Sequence, residues 1–136
     1  MATAGYSGTP LIKKLGIKDD AAVLLINAPE NYFLLLEKDI SSQLVKQKAI
    51  PDFVHVFTKT KKHFEHEVKQ LKKICLANPQ VIIWVSWYKK SSGIPTDLSE
   101  ETIRQWAIEN NLVDIKVCAV SIEWSGLKLV VPKNKR

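Results

Sequence analysis

The sequence predicts an α/β protein: a three-layer sandwich around a mostly parallel sheet of about five strands, closed by a C-terminal antiparallel pair. Three observations lead there. Val81-Ile82-Ile83-Trp84-Val85-Ser86-Trp87 is an apolar run almost free of polar alternation, which suits a strand covered by helices on both faces, in the middle of a parallel sheet. Strand-like and helix-like segments alternate along the chain, as β-α units do. Two terminal strand-like segments are joined so briefly, near Glu123 to Gly126, that they must be antiparallel neighbours, because a parallel pair needs a crossover of roughly a dozen residues or more. Strands are expected at 21–27, 52–57, 80–86, 113–121 and 126–132. With right-handed crossovers their spatial order is first, second, third, fifth, fourth.

Taken in order, Thr9-Pro10-Leu11-Ile12-Lys13-Lys14-Leu15-Gly16 carries the start and stop signals of a short helix. Thr9 can cap it, Pro10 fits its first turn, and Gly16 suits the left-handed residue after its end. The first strand ends at Asn27-Ala28-Pro29-Glu30, where Asn27 can cap a helix and Glu30 can reach back, with the helix continuing through Tyr32 to Leu36. Ser41 to Ala49 reads as a further short helical piece. Pro51-Asp52 turns into Phe53-Val54-His55-Val56-Phe57, rich in β-formers. From Lys61 to Cys75, apolar Phe64, Val68, Leu71, Ile74 and Cys75 recur on one helical face. Asn78-Pro79 ends that helix. A last helix starts at Leu98-Ser99-Glu100-Glu101-Thr102-Ile103, with Ser99 as cap, acids in the first turn and Leu98 stapled on Ile103; it runs to about Asn110 or Asn111.

The chain has 136 residues, one domain's worth, over residues 1–136. Its 46% hydrophobic and 25% charged composition excludes disordered and fibrous classes. No apolar run approaches the roughly 20 residues that span a bilayer, and Met1 to Pro10 lacks the features of a signal peptide, so a cytoplasmic location and no membrane partner are expected. Cys75 and Cys118 stand apart without CxxC or Cys/His spacing and read as buried thiols. The net charge of +6 is concentrated on the lysine-rich helix and on Pro132-Lys133-Asn134-Lys135-Arg136. That favours anionic partners, but it falls short of the dense basic face of a dedicated nucleic-acid binder.

Candidate site residues cluster where strands of an open α/β sheet end, the usual place for ligands. Lys89-Lys90-Ser91-Ser92-Gly93 leaves the carboxyl end of the central strand, behind Ser86, and offers ammonium groups, hydroxyls and accessible backbone to a phosphate or carboxylate. It does not match GxxxxGK[ST]. The plain alternative is a solvated connecting loop. Lys59, after the second strand, and Asn27, after the first, would complete a polar, positive rim, with Thr60 as a helix cap. His63 and His66 lie three apart on one helix, with Glu65 and Glu67 pointing elsewhere and no third ligand, so no metal site is expected. His55 reads as a core histidine with one satisfied nitrogen. Trp84 and Trp106 read as core, while Trp87 and Trp124 are open to either a core or a base-stacking role. No Ser/His/Asp or Cys/His catalytic set can be assembled.

The element order resembles the C-terminal half of the class I, S-adenosylmethionine-dependent methyltransferase fold, which also ends in an antiparallel strand pair. The stretches Gly5-Tyr6-Ser7-Gly8-Thr9-Pro10-Leu11, Asn27-Ala28-Pro29-Glu30, Trp84-Val85-Ser86-Trp87 with Lys89-Lys90-Ser91-Ser92-Gly93, and Lys116-Val117-Cys118-Ala119-Val120 with Trp124-Ser125-Gly126-Leu127 are similar to a small, uncharacterised bacterial family of unknown function with a methyltransferase-like, Rossmann-like fold. That resemblance implies a fold and no activity. Methyltransferases of this class place a glycine-rich turn after the first strand, whereas Asn27-Ala28-Pro29-Glu30 has no glycine, and between Glu30 and Pro51 there is no room for two further β-α units. No cofactor is therefore expected. The preferred reading is a non-enzymatic protein that binds a small anionic ligand or regulates, on a degenerate methyltransferase-like scaffold. The alternatives are a divergent group-transferase needing a partner and, more weakly, a nucleic-acid-binding protein. Self-association as a homodimer is a further expectation, since a reduced sheet leaves apolar surface uncovered.

Overall fold

A computed structural model describes residues 9–46 and 49–136; Gly5 to Gly8 of the first quoted stretch lie outside the described residues. The elements run α1 (Leu11–Leu15), β1 (Val23–Ile26), α2 (Tyr32–Leu36), β2 (Phe53–Phe57), α3 (Lys61–Ala77), β3 (Ile82–Tyr88), α4 (Glu100–Glu109), β4 (Val113–Ala119) and β5 (Trp124–Val130). They form one five-stranded sheet in the order β1-β2-β3-β5-β4, as expected. β1, β2 and β3 pair in parallel, while β5 enters antiparallel between β3 and β4. Four of the five strands therefore point the same way.

Burial explains why the apolar runs became the middle of the sheet. All five residues of β2 are buried, and Val81 to Trp87 are buried except for part of Ile82. One face packs against Phe64, Val68, Leu71 and Ile74 of α3 and Ile103 and Ala107 of α4. The other packs against Leu11 and Leu15 of α1 and Tyr32 and Leu36 of α2. The result is three layers. All four tryptophans belong to these cores, with Trp87 and Trp124 buried and Trp106 partly so, which removes the base-stacking role.

Local signals set most boundaries. Thr60 Oγ1 accepts the His63 N–H at 3.1 Å and Ser99 Oγ accepts the Thr102 N–H at 3.3 Å, capping α3 and α4. Gly16 adopts the left-handed φ of 78° that ends α1. Four expectations need correction. α1 is bounded by Pro10, not Thr9. α2 starts at Tyr32 behind Asn31, with no side-chain cap, because Asn27 is engaged elsewhere. Helix in 41–49 shrinks to a 3-10 turn at Ser41–Gln43, after which Leu44 bridges Val23; residues 47 and 48 lie outside the described residues. The terminal hairpin turns at Val120 to Glu123, where Ser121 Oγ accepts the N–H groups of Glu123 and Trp124, so Trp124 to Gly126 already belong to β5.

Gly126 shows how closely this hairpin sits on the core. A Cβ there would lie 3.1 Å from Trp84 Cε3 and 3.1 Å from Val120 Cγ2, and neither neighbour has space to retreat because both are buried. Gly126→Val is expected to destabilise the protein by about 1–3 kcal/mol, read as an unchanged m-value and a lower urea midpoint.

Candidate functional site

The carboxyl ends of β1, β2 and β3 lie along one edge of the sheet. Each predicted residue has a definite place there, and the structure separates them into three groups.

Ser86 is inside. It is fully buried, and its Oγ lies 2.7 Å from His55 Nε2, while His55 Nδ1 lies 2.8 Å from the Tyr32 hydroxyl. A neutral imidazole has one N–H and one lone pair, so both ring nitrogens are satisfied, not one. His55 also stacks on Phe57, with ring centroids 4.2 Å apart. Burial holds its pKa down at about 3, and burial, more than the nearby Cys118, pushes the Tyr32 phenol well above its ordinary range. The Ser-His-Tyr chain is therefore a neutral structural network. Ser86 offers nothing to a ligand, contrary to its placement among the site residues.

Asn27 and Lys59 form the second group. Asn27 has a positive φ of 58°, which asparagine tolerates better than most residues. This turns its carboxamide onto α3: Nδ2 donates to Glu67 Oε2 at 2.6 Å and lies 2.9 Å from His63 Nε2. The Lys59 N–H donates to His63 Nδ1 at 3.2 Å, and His63 lies 3.4 Å from Glu67 one turn on. Glu67 thus faces the site edge, which corrects the expectation that it points away; the i,i+4 spacing of His63 and Glu67 was the available signal. The segment after Gly93 folds over this end. Thr96 Oγ1 donates to the Lys59 carbonyl at 2.7 Å, and Asp97 Oδ1 accepts the Lys61 N–H at 2.7 Å. Asn27 and Lys59 therefore secure the edge, apart from the third group.

That group lies at the end of β3. Ser92 and Gly93 build the turn: Ser92 Oγ donates to the Lys89 carbonyl at 2.6 Å and accepts the Ile94 N–H at 3.1 Å, and Gly93 takes a φ of 77°. Lys89, Lys90 and Ser91 line a cleft of about 590 Å³ together with Ser99, the cap of α4, and Glu100 and Glu101 of its first turn. Those two acids are held by Arg104, whose Nη2 pairs with Glu100 and Nη1 with Glu101, while Nε reaches Asp114 at 3.0 Å. Sequence reasoning missed this clamp, although Glu100, Glu101 and Arg104 stand at i,i+4 and i,i+3. Lys89 and Lys90 pair with no carboxylate among the described residues. Among those residues no group of three or more His, Cys, Asp or Glu side chains could hold a metal ion, and no helix is long and apolar enough to cross a membrane.

The strand order, the antiparallel insertion of β5 and the edge cleft define a Rossmann-like, methyltransferase-like α/β fold reduced to five strands. Among solved structures, an uncharacterized protein from Listeria monocytogenes serotype 4b matches with a TM-score of 0.58 at 8% identity, over 90% of this chain and 67% of that one. A protein in the NADB-Rossmann superfamily from Streptococcus agalactiae matches with 0.49 at 8% identity, over 90% and 68%. The B. subtilis M1A22 tRNA methyltransferase TrmK matches with 0.48 at 9% identity, over 90% and 64%. The chain thus spans about two thirds of the length of each. No family model matches it, and no curated protein matches at a significant level, so membership of the small bacterial family gains no support here.

Proposed function

We propose that this is a non-enzymatic, cytoplasmic protein that binds a small anionic ligand, or regulates through one, on a degenerate methyltransferase-like scaffold. The observation that carries the reading is the unpaired state of Lys89 and Lys90 at the end of the central strand, in a cleft whose own acids are engaged by Arg104. Two ammonium groups beside the Ser91 hydroxyl suit a phosphate or carboxylate, with lysine acting as a point charge. Against a group-transferase weighs the glycine-free turn at Asn27, whose carboxamide is committed to His63 and Glu67. Self-association belongs to the same proposal, through the edge strand β4, where Ile115 and Val117 are about half exposed; sedimentation would read it.

The test is the double change Lys89→Ala and Lys90→Ala, titrated calorimetrically with phosphate and nucleotides at two salt concentrations. Loss of one charge-assisted hydrogen bond should weaken binding roughly ten- to a hundredfold, while stability changes by no more than about 0.5 kcal/mol. Equal binding by both proteins, or none by either, would reduce the loop to a connection. In the same assay S-adenosylmethionine should give no saturable binding; micromolar saturation would promote the transferase reading.

A further inference from the structure

We infer that lysines on the sheet face beside α1 extend the anion site of Lys89 into a site for a small polyphosphate, a ligand with two or three linked phosphoryl groups. The inference rests on the anion-binding reading of Lys89 and goes beyond it in naming the ligand class and further residues. Strand register is its basis. Trp84 stands opposite Lys128, and Lys128 opposite Lys116, so the three share one face of β3, β5 and β4. Two strand spacings separate the ends of this row, about 10 Å. Trp84 Nε1–H donates to the Leu15 carbonyl at 2.8 Å, which seats α1 at the head of the row and brings Lys14 with it. In the adjacent row Ser86, Gly126 and Cys118 face one another, and Lys89 follows at the end of β3.

Electrostatics agree with this convergence. Lys14, Lys116 and Lys89 each pull the Cys118 thiol pKa down against the larger upward effect of burial, and burial followed by Lys116 lowers that of Lys128. Lys116 and Lys128 thus share one stretch of sheet, with Lys14 at its α1 end and Lys89 just past the end of β3. None pairs with a carboxylate among the described residues, and Lys14, Lys89 and Lys128 are part-buried. Like charges gathered without counter-ions disfavour one another, and a multivalent anion relieves that repulsion where one phosphate would reach only part of it. The patch is confined. The lysines of α3 lie in the opposite layer, so they do not lengthen this row into the extended basic face that nucleic acid needs.

The experiment titrates the full chain and its Lys116→Gln and Lys128→Gln variants with orthophosphate, tripolyphosphate and an oligothymidylate. Tripolyphosphate should bind more tightly than orthophosphate. Each variant should weaken tripolyphosphate at least about tenfold and leave orthophosphate unchanged. Lys116 is exposed, so its variant, together with Lys116→Glu, keeps the test valid if Lys128→Gln fails to fold. Unchanged tripolyphosphate affinity in the Lys116 variants overturns the row and leaves the Lys89 reading standing. Orthophosphate binding that survives Lys89→Ala, with tripolyphosphate still sensitive to Lys116, sinks the loop reading and keeps the row. Binding of the oligothymidylate alone, or of no phosphate compound, overturns the inference.

Discussion

Acidification from pH 6.5 to pH 3 is expected to cost the protein on the order of 4 kcal/mol of stability through His55 alone. The side chain is fully buried and its pKa is lowered from 6.5 to about 3 by desolvation. In the unfolded chain it takes up a proton as pH falls through 6.5, whereas the folded ring stays neutral until about pH 3. The unfolded state then binds more protons, so stability is fully present above pH 6.5 and declines as pH falls. The hydrogen bonds are not the cause, since an imidazolium could donate to both Tyr32 and Ser86; the cost is that of a charge in the core. Urea titrations at stepped pH would follow it. His55→Leu should flatten the profile between pH 6.5 and 4 while lowering stability at pH 7, because the Tyr32 and Ser86 hydroxyls lose their partner at about 1–3 kcal/mol each. Parallel profiles for wild type and variant would refute the assignment.

Trp84→Ala is expected to remove about 3–5 kcal/mol, a large part of the roughly 5–15 kcal/mol that holds a domain together. Trp84 is fully buried at the centre of the face covered by α1 and α2, and its indole N–H is the bond that fixes Leu15. Trp84→Phe should cost less, since it keeps a ring while leaving the Leu15 carbonyl without its donor. Amide exchange separates the two effects. In Trp84→Phe, protection should fall first in α1 and only weakly in β2; uniform loss across both would mean that α1 is not held by this bond.

The fold was legible because its strongest signals are short-range. The apolar runs at Val23 to Ile26, Phe53 to Phe57 and Val81 to Trp87, the caps at Thr60 and Ser99, and the stop at Gly16 each depend on a few neighbouring residues. Of the candidate site, the sequence placed only Lys89 to Ser91 at the cleft, because position along the chain there determines position at the strand end. The misplaced site residues Asn27 and Ser86 failed for a long-range reason, whereas the Arg104 clamp at i,i+3 and i,i+4 was a local signal passed over. Asn27 has the spacing of a helix cap toward Glu30, yet its partners His63 and Glu67 are 36 and 40 residues away. Ser86 reads as the approach to a polar loop, yet its partner His55 lies 31 residues back across a strand pair. Local hydroxyl and amide chemistry is the same in both settings, so only the assembled sheet decides between them.

Asp97 gives this edge a character of its own. By accepting the Lys61 amide, its carboxylate occupies the electropositive start of the longest helix, a seat that α/β proteins often give to a phosphate. The chain thus carries a covalently tethered surrogate ligand at one end of the edge. Any lineage or design that recruits this scaffold for phosphate chemistry at α3 must first evict a resident that cannot diffuse away, whereas the lysine side of the edge presents no such incumbent.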